Sequence, residues 1–570
     1  MFTIESVLLY IVLYTGVATI VQKKDLVPDS INISGPILTF RSQKGLGTIE
    51  KLANKFYKFW VPWGTSGVIA AILTGLVGLF FVGTSTYGIL TQPETIAIQG
   101  PSDMLVIPGV NRFLPLSAAV EILLGLLIGM VVHEMGHAIL CRVGNIDIKS
   151  TGVILGALIP LGAFVEPDED SVENASAKNL LRMYAAGIMN NFAVFALSLV
   201  VLFSLVSLFI SPIAGIGIST VMDDSPAERM GLEKGDVITG VDNETIQSEE
   251  EILSSLSEDS QTIEINENKN IDIEQSAYVT QVPDSIGLSP KDTIVTANGQ
   301  DIKSPEDLSD KLREIDNYYT EVSLQNGDKK KIPVGSYVTS EKQIGITESM
   351  NLDKGQSTVV FNVENERVYD KETFISAINN TEGSFNITYL DSSGDVKTIS
   401  TQLDEEDNPI IVSDNVSGIN TSLLGIQIYP KEDFYTLLQP SSSIIGLLQS
   451  VFYIIMLPIA SLAPGVEASF PGFTPFIQNF YEISGAPGWS ESSIYFTFNV
   501  MFWSAWVNFN LALFNCLPTF ALDGGHILNA TTELLFGDRY SERIIYWINT
   551  TLKSLVLGSI LVMFFIPLFV

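Results

Sequence analysis

Histidine, cysteine and positive charge are all scarce in this chain. Its 570 residues include three His, two Cys and 31 Lys plus Arg, against 64 Asp plus Glu. Cys141 and Cys516 both sit in apolar stretches, so neither a disulfide framework nor a cysteine zinc ribbon can be built. Both read as small apolar residues packed between helices. The shortage of cations, with a formal net charge of -33, excludes a nucleic-acid binder, because phosphate contacts need clustered Lys and Arg. The chain is also too long for a single compact core. A mean hydropathy of +0.31 is high for a soluble protein, while that charge is extreme for a membrane protein, so the charge must be segregated.

It is segregated. Residues 221–440 hold 43 of the 64 acidic and 16 of the 31 basic residues, a net of -27. The block therefore reads as a soluble insertion, its acidity serving solubility or a salty habitat. Around it lie stretches near the 20 apolar residues that a membrane span needs: 6–21, 67–90, 118–140, 180–210, 444–462, 496–520 and 552–570. The first, lacking a basic leader, reads as a retained span and not a cleaved signal. Basic residues cluster over 23–58, at Arg142, Lys149, Lys178 and Arg182, and at Arg539 and Arg543. The positive-inside rule makes those stretches cytoplasmic and the acidic insertion extracytoplasmic. Five of nine Asn-x-Ser/Thr sequons (Asn243, Asn379, Asn386, Asn415 and Asn420) fall in the insertion and agree with that side. One stretch breaks the alternation. Residues 444–481, rich in Pro and Gly (Pro458, Pro464, Gly465, Pro471, Gly472, Pro475), are expected to be re-entrant or interfacial.

The insertion contains a repeat. The segment from Gly231 to Ile246 realigns at a shift of about 56 residues onto Gly287 to Ile302, and a fainter copy runs from Leu352 through Val368 to Phe374. Its order of strand, tight turn, strand and helix, with Ser225-Pro226-Ala227 ahead of Gly231, resembles PDZ domains, which hold extended peptides by strand addition. A peptide or regulator is the partner this implies. A β-rich spacer that binds nothing is the plainer alternative.

Val131 to His137 reads Val-Val-His-Glu-Met-Gly-His within an apolar helix. Residues four apart share a helix face, so His133 and His137 can converge on one zinc with Glu134 beside the metal's water. Ionisable groups inside a span are costly unless they serve a cavity and a function. A catalytic zinc needs a third protein ligand and an open position. Asp523 and His526, in the run Asn515 to His526, can both supply it, and these residues alone do not choose between them.

H-E-x-x-H followed far downstream by Asn515-x-x-Pro518 and Leu522-Asp523-Gly524 resembles the site-2 proteases. Pro160 to Glu166 is similar to that family's membrane-dipping β segment, and Arg182 to Asn191 to its second core span. The resemblance implies one zinc per chain held by His133, His137 and Asp523, with Glu134 as acid/base. His526 then lies beside the site, and Gly524-Gly525 would let the chain turn sharply enough to aim Asp523. Asn515 and Asn191 are expected to donate to the oxyanion. Pro160 and Gly162, on the dipping segment, are expected to bind an unwound substrate by strand pairing.

The expected fold is a polytopic α-helical membrane protein of about six or seven spans with an inserted soluble α+β region of PDZ-like repeats. Its parts are N-terminal spans and a cytoplasmic loop over 1–116, catalytic core over 117–211, the insertion over 212–440, the re-entrant segment over 441–493 and the second part of the core over 494–570. The implied partners are transmembrane protein substrates and the bilayer. A non-catalytic peptide-binding scaffold is the main rival, opposed by the intact Glu134 and Asp523. A zinc transporter would need ligands along a path, and one site is present.

Overall fold

A computed structural model describes residues 4–24, 28, 30–91, 107–111, 114–156, 159–246, 251–252, 255, 261–266, 269–342, 345–381, 383–402, 410–439, 441, 443–460, 470–485, 488–520, 522–536 and 542–566. Pro464, Gly465 and Arg539 lie outside the described residues. The chain divides into two units, 1–211 with 432–570, and 212–431.

The helices of the first unit that frame the site include α1 (Ile4–Lys23), α2 (Tyr57–Thr91), α3 (Ala119–Val143), α4 (Ala177–Phe209), α5 (Ile444–Ala460), α6 (Glu491–Asn515), α7 (Asp523–Phe536) and α8 (Glu542–Phe565). Four stretches among the described residues, Tyr57–Thr91, Leu116–Val143, Ala177–Phe209 and Glu542–Met563, are long and apolar enough to cross a membrane unaided. α1 and α5 carry shorter apolar runs, so the expected six or seven spans rest on these four together with weaker helices. The last helix begins at Glu542, ahead of the expected 552. Its first turn is Glu-Arg-Ile-Ile, and an acidic residue there suits the positive end of the helix dipole.

Capping sets the starts of α4 and α6. The hydroxyls of Ser176 and Ser490 accept from the backbone N–H of Asn179 and Ser493, supplying partners for donors that a helix start leaves open. α3, α4 and α6 pack against one another and form the framework of the unit. Asn190 of α4 ties it to two neighbours: its Oδ1 accepts from Trp63 Nε1 of α2 at 2.9 Å and its Nδ2 donates to the Val132 carbonyl of α3 at 2.9 Å. Cys141 and Cys516 are buried and free, as apolar packing requires.

Against this framework lies a four-stranded antiparallel sheet in the order β1 (Ile31–Ser34), β2 (Ile37–Ser42), β3 (Ile148–Gly156) and β4 (Ile159–Pro167). β1 and β2 form a hairpin around Gly35-Pro36, and Gly35 takes the positive φ of 61° that such a turn demands. β2 pairs with β3 through Phe40↔Val153 and Arg41↔Gly152. β4, which carries Pro160 and Gly162, pairs only with β3 and so has an open edge among the described residues.

The second unit contains three sheets of one topology. The first is made from β5 (Ile216–Val221), β6 (Val237–Val241), β7 (Thr262–Ile265) and β8 (Lys269–Asp272). The second has β9 (Ala277–Gln281), β10 (Thr293–Ala297), β11 (Tyr319–Leu324) and β12 (Lys329–Pro333), and the third has β13 (Ser336–Ser340), β14 (Ser357–Val363), β15 (Ser384–Leu390) and β16 (Val396–Gln402). Each sheet runs fourth, third, second, first strand, and is closed by a strand from the returning chain. Those closing strands come in reverse order: β17 (Ile410–Val416) on the third sheet, β18 (Asn420–Ser422) on the second and β19 (Ile426–Tyr429) on the first. The faint third copy in the sequence is thus a full sheet, and the three are nested. Corresponding strands bury corresponding residues: Ile218, Ile238 and Ile263 in the first, Val279, Ile294 and Val322 in the second, Val338, Val360 and Ile387 in the third. A capped helix crosses the second and third, Pro305–Arg313 behind Ser304 and Lys371–Asn379 behind the Asp370 capping box.

Candidate active site

His133 and His137 fall one turn apart on α3, and Asp523 is the first residue of α7. Their ligand atoms form a small triangle. His133 Nε2 to His137 Nε2 is 3.1 Å, His133 Nε2 to Asp523 Oδ2 is 3.0 Å, and His137 Nε2 to Asp523 Oδ2 is 3.3 Å. Ligands about 2.0–2.1 Å from one tetrahedral zinc stand about 3.3 Å from each other, so the triangle has the size such an ion requires. Among the described residues, Asp523 Oδ2 is also buried without a hydrogen-bond donor of ordinary geometry. Among the described residues these three are the only group of His, Cys, Asp and Glu side chains that converges so closely. The donor set of two imidazoles and a carboxylate, with a fourth position left open, fits zinc.

His526, one turn further along α7, takes no part in the triangle. It is exposed, and its ring stacks on Tyr184 of α4 with centroids 4.6 Å apart and planes at 15°. The structure therefore brings Asp523 to the histidines and leaves His526 beside them. Gly524 and Gly525 serve a different purpose from the turn expected of them. Both lie inside α7 at ordinary helical φ; a Cβ on Gly524 would stand 2.3 Å from the Cys516 carbonyl oxygen and one on Gly525 1.8 Å from that of Thr519. They let the start of α7 press onto the chain that leaves α6, and this seats Asp523.

α4 serves the site with three residues spaced by four, which share one helix face. The Met183 carbonyl accepts from His137 Nδ1 at 2.8 Å, which fixes that ring with its Nε2 lone pair toward the triangle. Gly187 faces both rings with no room for a side chain. Asn191, fully buried, has its Nδ2 3.2 Å from His133 Nδ1, the ring nitrogen remote from the ligand atoms. An oxyanion donor would have to face the ligand atoms, so this placement does not serve the role expected of Asn191. Met183 and Gly187 contribute without any ligating side chain, and the signal for them in the sequence is their spacing with Asn191 at 183, 187 and 191.

Gly187 yields a direct expectation. A Cβ there would stand 2.6 Å from His133 Cε1 and Nε2 and from His137 Nε2. Overpacking of this kind costs about 1–3 kcal/mol, and if the rings absorb it, Gly187→Ala weakens zinc roughly 5- to 150-fold. Competition titration against a zinc-sensitive dye reads this out.

Glu134 follows His133 on α3, a neighbour of the ligand face. It lines a crevice of about 290 Å³ between α3 and the sheet, whose walls include Met135, Thr151, Val153, Ala163 and Val165. Its carboxylate lies near the backbone of Val165 on β4. The base expected from the motif and the strand expected to bind substrate thus share one crevice. Nothing crowds Gly162 on that strand, and Asn515 ends α6, half-buried.

Comparison with known proteins accords with this geometry. The chain is 28% identical over 275 residues to an uncharacterized protein of Methanocaldococcus jannaschii, covering 47% of this chain and 66% of that one. It is 33% identical over 141 residues to the membrane-bound transcription factor site-2 protease homolog of Arabidopsis thaliana, covering 24% of this chain and 27% of that one. Both matches thus span less than two thirds of the relative. The model of peptidase family M50 matches residues 121–559, a stretch that contains the ligand triangle, Glu134 and the whole insertion, and the chain belongs to that family.

Proposed function

We propose that the chain is an intramembrane zinc metalloprotease that hydrolyses peptide bonds within the membrane-spanning segments of other proteins. The observation that carries this reading is the His133–His137–Asp523 triangle, sized for one ion, on helices that also present Glu134 to a crevice. When bound, zinc supplies a Lewis acid that brings the ionisation of water near neutral pH and polarises a carbonyl. Glu134 accepts the proton of the attacking water and passes it to the leaving amine nitrogen. Asn515 donates to the oxygen of the attacked carbonyl.

A membrane helix hides its carbonyls in its own hydrogen bonds, and unpaired backbone in lipid costs several kcal/mol per group. The open edge of β4, with Pro160 and Gly162, supplies replacement partners to an unwound substrate strand, and Val165 brings that edge to Glu134. The acidic insertion is extracytoplasmic and the zinc site lies toward the cytoplasmic side of the bilayer, as the basic clusters suggest. In the insertion, a groove of about 320 Å³ between the helix Lys371–Asn379 and β17, an edge strand among the described residues, is walled by Phe374, Ile375, Ile378, Ile411 and Val412. Ile375 and Ile411 stand 40% and 56% exposed there, which suits an extended apolar peptide added as a strand. The non-catalytic scaffold loses ground to the complete ligand set.

The purified chain is expected to carry one zinc and to cut a detergent-solubilised transmembrane reporter. Chelation stops the cutting and added zinc restores it. Cleavage that survives complete removal of the metal would sink the proposal.

A further inference from the structure

We infer that Asn191 is a positioning residue of the metal centre, whose side-chain oxygen holds His133 with its proton on Nδ1 and its lone pair on Nε2. The inference rests on the zinc reading and goes beyond it by giving the buried amide a defined task.

Three observations carry it. Asn191 is fully buried, and its amide is the group that meets His133 Nδ1, at 3.2 Å. His133 Nε2 is the atom that faces Asp523 Oδ2 and His137 Nε2, at 3.0 and 3.1 Å. A neutral imidazole carries one proton, so a ring that ligates through Nε2 must hold its proton on Nδ1 and needs an acceptor there. The amide nitrogen cannot accept. The amide oxygen can, and among the described residues Asn191 Oδ1 is buried without a partner of its own. Rotating the amide by half a turn exchanges two atoms of nearly equal size and sets Oδ1 against Nδ1.

The two histidines are then held alike by one helix. His137 Nδ1 donates to the Met183 carbonyl and His133 Nδ1 to the Asn191 amide, two turns further along α4, with Gly187 between them making room for both rings. A backbone carbonyl needs no particular side chain. The His133 side does, which is why the task falls to a residue that combines an acceptor with a short reach.

The test compares three variants of the full chain in detergent by zinc competition titration, cobalt absorption spectra and thermal melting. Asn191→Leu, close in size and without an acceptor, is expected to weaken zinc roughly 10- to 100-fold and to alter the cobalt bands. Asn191→Asp, an acceptor of the same shape with no donor, is expected to stay within about threefold of the parent and to keep its spectrum. Asn190→Leu, which loses the bonds to Trp63 and Val132 but touches no ligand, should lower the melting temperature while leaving zinc affinity as it was. Parental zinc affinity in Asn191→Leu overturns the inference, and so does an Asn191→Asp variant as impaired as Asn191→Leu, since the amide would then act as a donor or as filler. If Asn191→Leu does not fold, the Asn191→Asp comparison decides alone. Absence of zinc from the parent chain would bring down the metalloprotease reading itself, an outcome distinct from either of these.

Discussion

Glu134→Gln is expected to bind zinc as the parent does and to cleave a transmembrane substrate roughly 10²- to 10⁴-fold more slowly, the range that a positioned acid/base contributes. The ligand triangle is closed by His133, His137 and Asp523 without help from Glu134, which leaves α3 toward the crevice between that helix and the sheet. Glutamine keeps the size of the side chain and one of its oxygens, so the walls of the crevice and the contact with the Val165 backbone survive. It cannot take up a proton at neutral pH. Zinc content by elemental analysis and single-turnover cleavage separate the two properties. A metal-free Glu134→Gln with unchanged helix content would make Glu134 a ligand and reverse the roles.

The second large effect distinguishes the two candidates for third ligand. Asp523→Asn should reduce zinc affinity by more than the 10- to 100-fold attributed to partners outside the ligand set, because the amide removes the only negative charge in the triangle. His526→Ala should keep its zinc. Asp523 Oδ2 lies 3.0 and 3.3 Å from the two imidazole nitrogens, whereas the His526 ring is exposed and stacked on Tyr184. Because both substitutions fall in the first turn of α7, a shared effect on folding would appear in the melting curves of both. Metal-free His526→Ala beside zinc-loaded Asp523→Asn would exchange the assignment.

Several features were legible because their signal is local. The spacing of His133 and His137 is a property of any helix, so an H-E-x-x-H run in an apolar stretch already implied two ligands on one face. The acidic block between Val221 and Pro440 implied a separate unit because so much charge cannot enter a bilayer. Repeated turns at Gly231 and Gly287 show where the first two copies lie, Asn351 stands at the same place in the third, and each takes a positive φ. The hairpin around Gly35-Pro36 follows the same rule, with Gly35 at positive φ.

What the chain order alone could not decide is whatever depends on distant backbone. The partnership of β2 with β3 joins Arg41 to Gly152, and the closing of three sheets in reverse order joins Ser336 to Val416 but Gly217 to Tyr429. Strand pairing is made by peptide groups that every residue carries, so side-chain identity does not name the partner. The same holds at the site. Met183 contributes a carbonyl and Gly187 an absence, neither of which has a chemical signature in sequence. The sequence by itself made the candidate ligands explicit, since few side chain types can hold a metal ion. Residue chemistry alone left Asp523 and His526 open and the resemblance implied Asp523; the tertiary structure decided that Asp523 closes the triangle, because two residues on one short helix differ there in which way the packed helix turns them.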